Sequence, residues 1–238
     1  MPGFPQVIQT AITNGTNATT DAEVDLPTGI AAGDLLFILH RSAIGLVAHD
    51  VNGGGWTKRL GSTADGSDDG TSIFIRQADG SEVSPVTILQ SNSKFASLAW
   101  RIVGADVLSI ENPGFSGATT GNSTSPDPSN LTPFGGALDY LWIWMGGWEG
   151  EQTSPPSGTP SGYSNPIGAS SGTAGVVTTN CRVAAAFKNA NASSEDGGIW
   201  TISASDDWTA IVASVRPNNI PPPLRAIQKA VITRSFSW

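Results

Sequence analysis

Two stretches, Asp34-Leu35-Leu36-Phe37-Ile38-Leu39 and Asp139-Tyr140-Leu141-Trp142-Ile143-Trp144, decide the reading of this chain. Each is a dense apolar run of strand length, introduced by a Gly-rich approach, and each is apolar at odd and even positions alike. That is the pattern of a central strand buried on both faces. Around them, further segments recur in the same order. Gly55-Trp56-Thr57 is echoed by Gly162-Tyr163-Ser164, and Ile75-Arg76-Gln77-Ala78 by Phe187-Lys188-Asn189-Ala190. Ser81-Glu82 matches Ser194-Glu195, Val86-Thr87-Ile88 matches Trp200-Thr201-Ile202, and Phe95 to Ala99 matches Trp208 to Ala213. Any one match is weak, but their shared order makes an internal duplication.

Half a sandwich leaves an apolar face in water, and two copies bury that face against each other. The chain is therefore expected to be all-β: a two-sheet antiparallel, jelly-roll-like β-sandwich. Its domain is expected over residues 1–217, with repeat halves at about 34–103 and 137–216. Within it, residues 6–13 read as a further strand, and 111–136 and 149–175 as long polar loops. Alternation at Ile199, Thr201 and Ser203 against Trp200, Ile202 and Ala204 fits strand geometry.

Composition agrees. The 238 residues include 28 Gly and 16 Pro but only 13% charged residues, which disfavours a helical bundle. A net charge of −8 disfavours nucleic acid, whose phosphates need clustered Lys and Arg. The single cysteine, Cys181, allows no internal disulfide and reads as a buried structural thiol. Met1-Pro2-Gly3-Phe4-Pro5-Gln6 lacks the basic start and apolar core of a secretion signal. No stretch reaches the ~20 apolar residues of a spanning helix, so no membrane association is expected.

The end of the chain differs from the rest. Pro221-Pro222-Pro223 favours a stiff, extended spacer. After it come Arg225, Lys229 and Arg234 with no acid, a tail of +3 beside a body with nine bases and 20 acids. Ala230, Ile232, Arg234, Phe236 and Trp238 fall on one face at period two. Residues 218–238 are thus expected to form a Pro-rich linker and an arm whose partner-binding residues are Arg225, Lys229, Ile232, Arg234, Phe236 and Trp238.

Chemistry is sparse. His40 aligns with Met145 and reads as packing, while His49, before a Gly-rich turn, reads as solvated. Glu149, Glu151, Glu195, Asp196, Asp206 and Asp207 could serve a glycosidase, which needs two carboxylates. Their spacing singles out no pair, and hairpin turns account for them. Asp65 to Asp69 offers oxygens at alternate positions but lacks the closing Glu of a helix-loop-helix calcium site, so no metal and no cofactor is expected. Tyr140, Trp142 and Trp144 read as core. Trp148, Glu149 and Tyr163, placed in loops, are the candidates for a glycan or partner contact. No catalytic residue is assigned.

The segments Leu26-Pro27-Thr28-Gly29-Ile30, Gly33-Asp34-Leu35-Leu36 and Gly55-Trp56-Thr57 resemble a duplicated β-sandwich domain of tailed-bacteriophage structural proteins. Ser194 to Ile202, and Asp207-Trp208 through Val215-Arg216-Pro217, look like the end of the same domain. The resemblance covers about residues 7–217 and departs at Gly162-Tyr163, where such repeats often carry Gly-Trp. It implies a non-enzymatic virion protein, made in the host cytoplasm and built into head, tail or fibre. Capsid decoration or a minor head role is the first expectation, and a tail- or fibre-associated module binding a host-surface glycan is the alternative. Other virion proteins and further copies of the chain are the expected partners.

Overall fold

The structure is a computed structural model and describes residues 3–44, 49–63, 70–106, 114–149, 155–172 and 180–218. The arm from residue 219 onward and the Asp65–Asp69 loop lie outside the described residues. Eleven strands are described: β1 (Gln6–Val24), β2 (Leu35–Ser42), β3 (Asp50–Val51), β4 (Thr57–Thr63), β5 (Gly70–Gln77) and β6 (Val86–Val103) in the first half; β7 (Thr119–Ser123), β8 (Leu138–Glu149), β9 (Ser164–Ser170), β10 (Cys181–Ala192) and β11 (Asp206–Val215) in the second. They form two antiparallel sheets stacked as a β-sandwich. The strand orders are β1-β6-β2-β5-β4, with β3 added on β6, and β7-β11-β8-β10-β9. Each half keeps to one sheet, and the two orders coincide strand for strand.

Between the sheets lie Leu35, Phe37, Leu39 and Trp100 from the first half, against Leu141, Ile143, Met145 and Phe187 from the second. This pairing corrects the sequence alignment of the first strand by one residue. Phe37 pairs with Ile75, and Ile143 pairs with Phe187, so Phe37 is equivalent to Ile143 rather than to Trp142. His40 is accordingly equivalent to Gly146, not to Met145. The cause is the run itself: with both faces apolar, period two carries no information about which residue points inward.

The repeats also begin earlier than residues 34 and 137. In β1, Gly15 stands opposite Phe95, and in β7 Gly121 stands opposite Trp208. In both places the aromatic ring lies over the glycine. A Cβ on Gly15 would sit 2.3 Å from the Phe95 ring, and one on Gly121 would sit 2.6 Å from the Trp208 ring. β1 runs on to Val24, well past the expected residue 13, and β7 and β9 occupy stretches expected to be loops.

Each sheet is covered on its outer face as well. Beyond irregular pairing at Gly15–Asp21, the ends of β1 and β6 carry Ala22, Val24 and Ile88 over Ile38, Phe74 and Ala99. In the second half, residues 124–131 and 195–202 form the equivalent cover. Ile202 N–H donates to Thr124 O at 3.0 Å and Trp200 N–H to Pro126 O at 3.0 Å. Trp200 thereby meets Trp144 edge to face, with ring centroids 5.0 Å apart.

Replacing Gly15 by Ala is expected to cost about 1–3 kcal/mol, the usual range for an overpacked site. Thermal melts should show the loss, and combining Gly15→Ala with Phe95→Leu should cost less than the two changes summed. Additive losses would show that the ring does not press on the glycine.

Candidate functional site

The duplicated Gly-aromatic motif acquires a physical meaning in three dimensions. Gly55 and Gly162 both have left-handed backbones, φ 88° and 81°, which glycine adopts without a Cβ clash. Over each lies a cation from a neighbouring strand: Arg76 beside Gly55, Lys188 beside Gly162. Each cation then pairs with the equivalent acid, Arg76 with Glu82 at 3.1 Å and Lys188 with Glu195 at 2.7 Å. The ammonium of Lys188 also lies 5.7 Å from the Tyr163 ring centroid. Glu195, a glycosidase candidate by composition, is thus a structural counter-ion.

Trp148 is placed within β8 rather than in the loop beyond it, and it is fully buried. Tyr163 is 5% exposed, and burial, with Glu195 beside it, raises its hydroxyl pKa. Neither ring is open to a sugar. Register explains Trp148: it faces Arg182 on β10 and Trp208 on β11, beneath the outer cover. Glu149 ends β8 and is half-buried. Tyr140, Trp142 and Trp144 are all buried, the last with its indole N–H on Gly198 O at 3.0 Å.

The remaining acids do not converge. Asp207 accepts from Asn122 Nδ2 at 2.7 Å at the β7–β11 edge, and Asp206 is buried at the start of β11. Asp127, which composition did not single out, is raised in pKa by desolvation and then by Asp196, and both residues are exposed. Glu151 lies outside the described residues. Among the described residues, no group of three His, Cys, Asp or Glu side chains is placed to hold a metal.

The unexpected cluster is a pair of histidines. His49, read as solvated, is completely buried, because β3 pairs with β6 just beyond it and closes the outer cover. Its ring meets that of His40 edge to face at 4.7 Å. His40 Nδ1 contacts Ser97 Oγ at 2.8 Å and its Nε2 contacts Gln90 Oε1 at 3.0 Å. His49 Nδ1 contacts Ser72 Oγ at 2.8 Å and its Nε2 contacts Ser42 Oγ at 2.9 Å. The Lys58 ammonium donates to the His49 carbonyl. A serine hydroxyl on an imidazole is the beginning of a nucleophile and its base. Here His40, His49, Ser42, Ser72 and Ser97 are all 0% exposed, so the network ties β2, β5 and β6 to the cover. The sequence signal is thin: His40 and Ser42 alternate on β2, but Gln90, Ser72 and Ser97 are too common in type to stand out.

A second structural feature is open to solvent. Among the described residues β1 and β9 are the sheet edges on one flank, and they border a groove of about 600 Å³ lined by Gln6 to Thr10, Ser164 to Ile167, the core residues Leu141 and Phe187, and Lys188 and Asn189. Ser170 N–H on Asn14 Oδ1, 2.8 Å, ties the two strands together. Ile8 and Ile12, on β1, are 44% and 46% exposed.

No family model, curated protein or solved structure matches this chain.

The histidine pair gives the fold a pH dependence. Burial first, then His49, holds the His40 imidazole well below its ordinary value; burial, Lys58 and Arg41 push His49 down to about 4. Both rings are neutral in the folded state, while in the unfolded chain they take up protons below about pH 6.5. The unfolded state therefore binds more protons below that value, and stability falls as pH drops from 6.5 toward 4. For His49 alone the loss by pH 5 is expected to be about 2 kcal/mol. Melts between pH 7.5 and 5 should show it, and His49→Gln should lower stability at pH 7.5 but flatten the slope. An unchanged slope would remove His49 as its source.

Proposed function

We propose that this chain is a non-enzymatic structural protein of a tailed-phage virion, a capsid-decoration or minor head protein that docks on neighbours through its C-terminal arm. The observation that carries the reading is how the body uses its chemically capable groups. Both histidines are buried in hydrogen bonds to serines and a glutamine, and the Trp face of β8 is packed under a cover. Glu195 is committed to Lys188. What remains for association is the loop-rich periphery, the open β1–β9 groove and the chain beyond Asn218. The sequence resemblance to phage structural domains supports the virion setting, and the +3 tail suits an acidic assembly partner, a description that further copies of this acidic body meet. The glycan-binding alternative loses support, because Trp148 and Tyr163 are buried.

Deleting residues 220–238 is expected to leave a β-rich, cooperatively melting body that no longer enters particles. Circular dichroism checks the first part, and quantitation of the chain in purified virions checks the second. Incorporation at the full-length level would refute the arm's role.

A further inference from the structure

The β1–β9 groove is open because of what stands at one edge position. On the β4–β7 flank Phe115 pairs with Ala213, and its ring packs on Phe37 at 5.8 Å. On the β1–β9 flank the equivalent pair is Thr10 with Trp100, and the indole turns inward, edge to face with Phe187 at 6.0 Å. A threonine thus stands where the other flank carries a phenylalanine. The space left beside it reaches Leu141 and Phe187 of the core, and its volume of about 600 Å³ is that of a small-molecule site.

Both edges are interrupted beside this space. β1 slips register between Val7 and Gln9, and β9 slips against β10 between Ala185 and Phe187. The β9 slip holds Asn165 and Pro166. Pro166 has no N–H to donate, and Asn165 has φ 52°. A residue before proline is normally extended, so its surroundings hold Asn165 in a left-handed backbone that asparagine tolerates better than most residues. An added strand needs an unbroken row of outward N–H and C=O groups, and neither edge presents one here. The groove offers side chains instead. Among the described residues, the side chains of Gln9, Thr10, Asn165 and Asn189 line it without a hydrogen-bond partner. Each of them can donate and accept.

Charge narrows the ligand further. The described lining holds no carboxylate, and its one cation, Lys188, is taken by Glu195 at 2.7 Å. We propose that the β1–β9 groove binds a neutral saccharide, with the amides and Thr10 on sugar hydroxyls and the C–H face of the ring against Leu141, Ile167 and Phe187. Hydroxyls donate and accept as the amides do, and an uncharged ring brings no charge that the groove would leave unpaired. The Ser170 N–H bond to Asn14 Oδ1, 2.8 Å, fixes the spacing of the two walls before a ligand arrives. Cleavage of a glycan takes two carboxylates flanking the sugar, and the described lining supplies neither. The site uses neither Trp148 nor Tyr163, and it is independent of the arm.

The test titrates the isotope-labelled full-length chain with the methyl glycosides of glucose, galactose, mannose and N-acetylglucosamine and follows backbone amide shifts by NMR. At least one glycoside should give saturable shifts centred on the groove strands. Sialic acid and an uncharged peptide rich in valine and threonine stand for an anionic sugar and an added strand. Thr10→Phe, which restores the residue of the opposite flank, should abolish the shifts. Asn165→Gly, which keeps the left-handed backbone, and Asn189→Ala should each weaken binding roughly threefold to tenfold, the effect of losing one hydrogen-bonding side chain. Both asparagines are exposed and without a partner among the described residues, so a folding defect in Thr10→Phe cannot decide the matter. No saturable shift from any of the glycosides would overturn the inference. So would glycoside binding that both asparagine variants leave unchanged, or tighter binding of the peptide or of sialic acid than of every neutral sugar.

Discussion

Both sheets of this protein are apolar on both faces, and that single constraint organises everything else. A sandwich of two sheets satisfies only the inner faces. Leu36 and Ile38 on one side and Trp142 and Trp144 on the other would remain in water. An uncovered aromatic face of that size drives association or aggregation. The chain solves this in the first half by folding its longest strand pair back over the sheet. The irregular pairing of β1 with β6 around Gly15–Asp21 is where the ribbon bends, as bulges commonly allow. Residues 124–131 and 195–202 give the second half its own cover with fewer ladder bonds and larger side chains, Trp200 above all.

The two covers differ in chemistry because their contents differ at equivalent positions. Where the second half has Gly146, a Cβ would lie 2.6 Å from the Trp144 ring, so the indole fills that space. The first half has His40 there and fills the corresponding space with His49, Ser97 and Gln90. Aromatic packing tolerates solvent acidity; a neutral imidazole network does not. The half closed by histidines is therefore the half whose closure depends on protonation, although the halves share one strand order.

Fold class was legible in the sequence because it depends on coarse signals that survive local error: short apolar runs, turn residues between them, and an ordered set of recurring dipeptides. Register was not, since Leu35 to Leu39 offers two apolar faces of nearly equal weight. The ion pairs Arg76–Glu82 and Lys188–Glu195 join segments that the recurring order already matches. A charge pair six or seven residues apart nevertheless announces itself only once the turn brings it together. His49 is hidden for a related reason. Its neighbours Asp50 and Gly53 to Gly55 are turn-like, and only the two-residue pairing of β3 with β6 seals it. Trp148 reads as a loop residue because Gly146-Gly147 looks like a strand end. In the structure those glycines let Trp144 and Arg41 approach the β8 backbone, and the strand continues to Glu149.

Unequal filling of the two halves also explains why, among the described residues, the β1–β9 flank is open. Trp100 and Thr10 on one side stand where Ala213 and Phe115 stand on the other, so bulk has been exchanged between inner and edge strand. Exchange keeps the central core dense, since Trp100 reaches across to Phe187, but bulk placed inward cannot also close the edge. Residues 114–116, just before β7, pair with β11 and bring Phe115 onto the β4–β7 flank. No passage between halves is needed at the β1–β9 flank. An opening at that flank is thus a direct consequence of building a sandwich from two tandem copies. One connector between halves serves two equivalent edges, and among the described residues no segment lies along the second.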